Sequence, residues 1–144
     1  MNILEQVATH LAKQQAASTA HNPRGGSYCA YRGENGTMCA IGCLISDDEY
    51  DPDIEHNVFP SLVDRFPFAQ KLVDRVREQY NLSDNDAVTL LELVQDFHDN
   101  DYRKLLKTFK LRLNSSVPMT EEHLKYQILH QFTSKLNDVK EQSK

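Results

Sequence analysis

The cysteines are the residues of this chain whose type and spacing most directly offer chemistry. Cys29, Cys39 and Cys43 lie close together in SYCAYRGENGTMCAIGCLI, and with His56 they could supply the four ligands of a zinc site. However, the C-x9-C-x3-C spacing lacks the paired C-x-x-C of structural zinc sites. A nucleophilic thiol would need a nearby histidine or helix N-terminus, and the spacing identifies neither. Because free cysteines usually pack as small apolar residues, we predict three reduced, largely buried thiols and no cofactor.

The doublet His98-Asp99 is a second candidate for chemistry. A His-Asp pair in a helical protein is similar to the motif of HD-type metal-dependent phosphohydrolases. Such a site also needs an upstream histidine and a distant aspartate, and His56 and Asp138 are possible choices that nothing in the spacing selects. Because an imidazole is also favourable at a helix C-terminus, we favour a structural role for the pair. A metal-dependent hydrolase remains the second alternative function.

A run of cations without any acid, YRKLLKTFKLR, is the best candidate for binding an anionic partner. On a helix, Arg103, Lys107 and Lys110 share one face, with Lys104 beside them. The formal net charge of -5 argues against general nucleic-acid binding, so an acidic protein is the preferred partner. The alternative is a solvated face whose charge is balanced by the acidic helix before it.

The run DDEYDPDIE has the opposite charge and concentrates carboxylates in a short stretch. It does not match a calcium loop, because Pro52 stands close to the position where such loops require glycine. We expect a solvated acidic surface that could face a basic partner. Its candidate contact residues are Asp47, Asp48, Glu49 and Asp51.

The glycines define a third type of candidate site, because all five fall between Gly25 and Gly42. Flexible backbone amides beside Arg24, Gly25, Gly26 and Arg32 could cradle a phosphate, so a binder of a phosphorylated nucleotide-like ligand is the first alternative function. No Walker or dinucleotide-binding pattern accompanies them. Gly42 differs from the others because it interrupts an apolar run, which predicts a positive φ or a neighbouring backbone too close for a Cβ.

Helical periodicity surrounds this segment on both sides. Apolar residues recur every three or four positions from Ile3 to Leu11 and through most of the chain after Pro67, with Ser83 and Thr120 as N-caps. Asn35-Gly36 between two short apolar arms predicts a hairpin, although the second arm could turn helical near Met38. The sequence therefore predicts a mainly α fold: about five helices in one bundle-like domain over residues 1–144, with a small β-hairpin near residues 28–41.

Composition limits the compartment and the class of protein. The chain is 40% hydrophobic and 26% charged, which is typical of a globular domain rather than a disordered chain. It contains no apolar run long enough for a membrane span, and its first residues do not form the apolar core of a secretion signal. The odd number of cysteines favours a reducing compartment, so we expect a cytoplasmic protein without a membrane partner.

The run CAYRGENGTMCAIGCLISDDEYD resembles a segment of a family of short, largely uncharacterised proteins from tailed bacteriophages and some bacteria. The shared features are a Cys-x-Tyr-Arg arm, a glycine-containing turn, Cys-Ala-Ile-Gly-Cys-Leu-Ile and an acidic Asp-x-x-Tyr. The resemblance implies phage origin and a small accessory role, and it brings no catalytic residues with it. We expect the protein to act in the host cytoplasm. Our leading hypothesis is therefore a non-catalytic protein that binds a host bacterial protein, either to redirect metabolism or to inhibit a defence system.

Overall fold

Six helices and one two-stranded antiparallel sheet form the regular structure of residues 1–143, which a computed structural model describes. The mainly α fold with a single hairpin is thus confirmed. Four of the five long helices follow one another after residue 66, and the short helix is α2. The elements are α1 (Ile3–Gln14), β1 (Thr19–His21), β2 (Ser27–Cys29), α2 (Phe59–Leu62), α3 (Pro67–Tyr80), α4 (Asp84–Asp99), α5 (Asp101–Arg112) and α6 (Glu121–Gln142).

The helices begin where the sequence supplies capping side chains. The Ser83 hydroxyl accepts a hydrogen bond from the Asp86 amide at the start of α4, and the Thr120 hydroxyl accepts one from the His123 amide at the start of α6. Both predicted caps are confirmed. Each satisfies an amide that the first helical turn leaves without a partner, which is why these helices begin at these residues.

The hydrophobic core is continuous from α1 to α6, with α4 at its centre. Helix α4 packs against α2, α3, α5 and α6, while α1 packs against α6 and α3. The Phe97 ring of α4 meets the Phe132 ring of α6 edge-on, with centroids 5.1 Å apart. The buried Tyr102 hydroxyl donates to the Leu11 carbonyl at 2.6 Å, so it ties α5 to the end of α1. Among residues 1–143, no helix is both long and apolar enough to cross a bilayer.

The hairpin lies earlier in the chain than predicted. Its strands pair Thr19 with Cys29 and His21 with Ser27, so the turn is made by residues 22–26, in which Gly25 has a φ of 106°. Of the predicted range 28–41, only Tyr28 and Cys29 belong to the hairpin, and the rest has one isolated bridge, Arg32 to Met38. Asn35-Gly36 does form a turn, but the paired strands flank the Gly25-Gly26 turn instead.

The segment between β2 and α2 is irregular and is fastened to the helices by side chains. The Gln14 amide group brackets Met38, accepting from its N–H at 2.9 Å and donating to its carbonyl at 3.0 Å. The Ile41 N–H donates to Gln95 of α4 at 3.2 Å. The helical alternative near Met38 is limited to one 3₁₀ turn over Gly42–Leu44. These contacts give the glycine- and cysteine-rich segment a fixed position over α1 and α4.

Candidate functional site

A cavity of about 220 Å³ opens where the segments after β2 and before α2 meet helix α4. Its inner wall is apolar, formed by Ala30, Cys39 and Phe59, each at most 2% exposed. The part of the lining that α4 contributes, the α4 wall, is polar. It is formed by Glu92, Gln95, Asp96 and Asp99, of which Glu92 and Asp96 are exposed.

The His98-Asp99 doublet lies at the edge of this cavity, with Asp99 in the lining and His98 fully buried, and it has a structural role. The fully buried His98 accepts the Ser18 N–H at Nε2 (3.0 Å), and its Nδ1 lies 2.9 Å from Asp99 Oδ1. Because Nε2 accepts, Nδ1 carries the proton and donates to Asp99. Both ring nitrogens are therefore engaged inside the protein. This arrangement fixes β1 against the end of α4.

The possible metal ligands are not gathered into a centre. Across residues 1–143, no three His, Cys, Asp or Glu side chains form a group that could hold a metal ion. This applies to the zinc set of Cys29, Cys39, Cys43 and His56. It applies equally to the hydrolase set, in which His56 and Asp99 line the cavity but Asp138 is exposed on α6.

The thiols are free, and only Cys39 is fully buried. Its Sγ accepts the Gly42 N–H at 3.2 Å, while the half-buried Cys43 donates to the Ala40 carbonyl at 3.1 Å. Burial raises the pKa of Cys43 to about 12 and the pKa of Cys39 further. Half-buried Cys29 lies between Asp99 and Arg103, and its pKa is raised first by burial and then by Asp99. All three thiols are thus protonated at neutral pH, which is the opposite of an activated nucleophile.

We expect the thiols to react with iodoacetamide at pH 7.5 in a fixed order. Cys29 should react first because it is the least buried and its sulfur faces Arg103, and Cys39 should react only when the protein opens. Mass spectrometry of timed samples measures this order, with urea-unfolded protein as the control in which all three react alike. Rapid alkylation of Cys39 in the folded protein, or stoichiometric zinc after purification without added metal, would contradict the assignment.

Arg32 is occupied by the protein itself rather than held free for a phosphate. Its Nη1 donates to Asp47 at 2.6 Å, its Nη2 donates to the Ile45 carbonyl at 2.7 Å, and its guanidinium stacks on Tyr50. Arg24, in contrast, lies in the exposed hairpin turn, beyond the His21–Ser27 pair. Arg32 follows the opposite end of the same hairpin. The structure therefore does not bring together the predicted set of Arg24, Gly25, Gly26 and Arg32 as one cradle.

Glu55 organises the same region and was not singled out from the sequence. Its Oε1 accepts the Tyr31 N–H at 2.9 Å, and its Oε2 accepts the Arg32 N–H at 3.1 Å and the Tyr50 hydroxyl at 2.6 Å. Burial, followed by this contact with Glu55, raises the pKa of Tyr50. Three residues near the two ends of the segment 29–51, Tyr31, Arg32 and Tyr50, therefore donate to one carboxylate.

The acidic run serves largely as local structure. Asp47 pairs with Arg32, and Asp51 accepts the Asp53 N–H at 2.9 Å as the cap of a 3₁₀ turn. Ser46 and Glu49 form a capping box, and the hydrogen bonds from Ser46 hold the pKa of Glu49 below its usual value. Asp48 is exposed. A docking role for Asp47, Asp48, Glu49 and Asp51 stays a prediction.

The cations of α5 remain uncompensated. Arg103, Lys104, Lys107, Lys110 and Arg112 are all exposed, and none lies within ion-pair distance of a carboxylate in the part of the chain that the structure describes. The acids of α4 do not balance them, since Glu92, Asp96 and Asp99 face the cavity. The spacing of this α4 stripe, at i, i+4 and i+7, is visible in the sequence and predicts one acidic helix face.

The exposed apolar side chains are also concentrated beside α5. Of the six large apolar residues exposed in residues 1–143, four lie between positions 111 and 126. They are Leu111 (81% exposed), Leu113 (50%), Val117 (76%) and Tyr126 (57%).

Comparison of the chain with protein-family models, with curated proteins and with solved structures finds no match.

Proposed function

We propose that this protein is a non-catalytic accessory protein of phage type that binds an acidic surface of a host bacterial protein. The binding element is the α5 docking surface. It consists of the cations Arg103, Lys104, Lys107, Lys110 and Arg112 and the apolar residues Leu111, Leu113, Val117 and Tyr126.

The observation that carries the proposal is the coincidence of these two sets on one part of the fold. Exposed apolar side chains are common singly, but a concentration of them marks interaction sites. Cations without internal carboxylate partners keep their charge available to a second molecule and steer its approach. The combination fits a partner that presents carboxylates around apolar anchor residues.

A protein fits this surface better than a nucleic acid does. Nucleic-acid binding depends on neutralising many phosphates, which requires a strongly basic surface. Here the net charge is -5, and the cations are interspersed with aliphatic side chains that phosphates would not use. Host takeover or inhibition of a bacterial defence system is the role that the phage-family resemblance supports.

The direct test is capture of partners from bacterial lysate on immobilised protein, followed by mass spectrometry and measurement of the affinity for the captured protein. We expect an acidic host protein whose binding weakens as salt rises, because exposed charge pairs are screened. Capture of nucleic acid that nuclease treatment removes, with no protein retained, would overturn the proposal.

We expect Lys107→Glu combined with Lys110→Glu to weaken binding of that partner at least about tenfold, or about 1.4 kcal/mol. Both side chains are exposed, so stability should change by less than about 0.5 kcal/mol for each substitution. Arg65→Glu with Lys140→Glu is the control, since it reverses the same charge at two exposed positions that pair with no carboxylate of residues 1–143. Equal affinity in the α5 variant and the wild type would move the interface away from α5. The acidic run would then be tested next.

A further inference from the structure

The cavity beside α4 is preformed and has a buried inner end. Protein interiors contain few voids larger than a water molecule, so an open volume of about 220 Å³ over fully buried side chains is a distinctive feature. Ligand pockets for drug-sized molecules usually measure about 300–1,000 Å³, and this one lies below that range. Its size suits a small molecule with a short carbon chain.

The side-chain amide and hydroxyl donors of Gln95, Tyr31 and Asn57 around this cavity are already used within the protein. The Gln95 amide donates to Asp99 at 3.1 Å, and the Tyr31 hydroxyl donates to the Asn57 carbonyl at 2.7 Å. The Asn57 side-chain amide donates to two backbone carbonyls, those of Asp53 and Glu55. The walls therefore have little left to offer to an anion or to a carbonyl oxygen.

Two hydrogen-bond acceptors of the α4 wall, in contrast to these donors, have no partner within the protein. Within residues 1–143, the carboxylates of Glu92 and Asp96 accept no hydrogen bond and pair with no cation. No lysine or arginine of the described chain lines the cavity, and Arg103 reaches only Cys29 at its edge. The remaining titratable side chain, His56, stacks on Tyr28 with ring centroids 4.0 Å apart. Apart from the exposed His56 ring, the free groups are thus the exposed carboxylates of Glu92 and Asp96, which are acceptors that carry negative charge.

We propose that this cavity binds a small organic cation, an alkylammonium or alkylguanidinium compound. Its short carbon chain would pack on Ala30 and Phe59, and its charged end would donate hydrogen bonds to Glu92 and Asp96. This ligand has the opposite charge to the phosphorylated compound expected from the Arg/Gly loops. The site is separate from the α5 docking surface and does not depend on it.

The probes are n-butylammonium and n-butylguanidinium, with n-butanol and butyrate as neutral and anionic controls of the same chain length. Titration of isotope-labelled protein should shift the amide NMR signals of Cys29, Cys39 and Gln95 with both cations. The neutral alcohol should bind more weakly and butyrate weakest, because the wall is rich in acceptors and poor in donors. Equal affinity for all four probes, or shifts confined to residues outside the cavity, would overturn the proposal.

Glu92→Gln with Asp96→Asn should weaken cation binding at least about tenfold, since charge-assisted hydrogen bonds are replaced by neutral ones. Asp64→Asn with Glu78→Gln removes the same charge from exposed positions outside the cavity and should leave affinity within about twofold. Both double variants keep side-chain volume, and matched urea unfolding curves establish that both fold. A parallel loss in the two variants would show non-specific attraction to an acidic protein and would refute the site.

Discussion

Replacing Gly42 with alanine is expected to lower the free energy of unfolding by more than about 2 kcal/mol. A Cβ at this position would lie 2.1 Å from the Tyr31 carbonyl oxygen and 2.9 Å from its carbon. Both are backbone atoms that no rotamer change can move, so the two chain segments must separate. Valine should destabilise more, because its added methyl groups enter the same occupied space.

Gly36→Ala is the matched control for this prediction. Gly36 has a φ of 73°, but a Cβ there would meet nothing within 4 Å. The cost is therefore limited to the left-handed conformation, about 1–2 kcal/mol. Urea denaturation of both variants under the same conditions measures the difference. If Gly42→Ala proves no more destabilising than Gly36→Ala, the two segments are not packed as the structure describes.

The importance of Gly42 was readable from the sequence, because a glycine in an apolar run contributes no packing and costs conformational entropy. The sequence offered two reasons for it, a positive φ or a close backbone, and the structure selects the close backbone. The helices were equally readable. Their apolar stripes and the caps Ser83 and Thr120 act within a few residues of one another, so local patterns suffice.

The position of the hairpin could not be predicted from the sequence, because contacts with residues distant in sequence determine which segments pair as strands. Three-residue strands are too short for a period to be detected. Around Asn35-Gly36 the backbone groups that could have formed a ladder are taken by side chains from elsewhere. Glu55 accepts the N–H groups of Tyr31 and Arg32, and Gln14 binds Met38.

The cavity could not be predicted from the sequence for the same reason. The acidic stripe of α4 is local, but its meaning depends on which segment covers it. That cover consists of residues near Cys29 and near His56, held in place by long-range hydrogen bonds such as Ile41 to Gln95. Glu92 and Asp96 stay exposed, so the feature that distinguishes them from an ordinary solvated helix face is the set of buried side chains beside them in the cavity, Ala30, Cys39 and Phe59.

Replacing Glu55 with alanine is expected to destabilise the protein by more than about 2 kcal/mol. The change leaves the N–H groups of Tyr31 and Arg32 and the Tyr50 hydroxyl without their acceptor. Hydrogen bonds to a charged group contribute about 1.5–3 kcal/mol each, and water can replace part of this because Glu55 is only half-buried. Urea denaturation measures the loss, and amide exchange at Tyr31 and Arg32 should quicken beyond the global change.

Glu55→Gln and Asp53→Ala separate the possible causes of that loss. Glutamine keeps one acceptor oxygen and should recover part of the stability, whereas Asp53 is exposed in the same acidic run and its side chain should matter little. If Glu55→Ala left the stability unchanged, the segment 29–51 would not be held together by this carboxylate. If Glu55→Gln lost much of its stability but kept its affinity for the partner, Arg32, Asp47 and Tyr50 would have a structural role and not a binding role. The shared segment would then preserve the fold, and recognition would be left to the α5 docking surface.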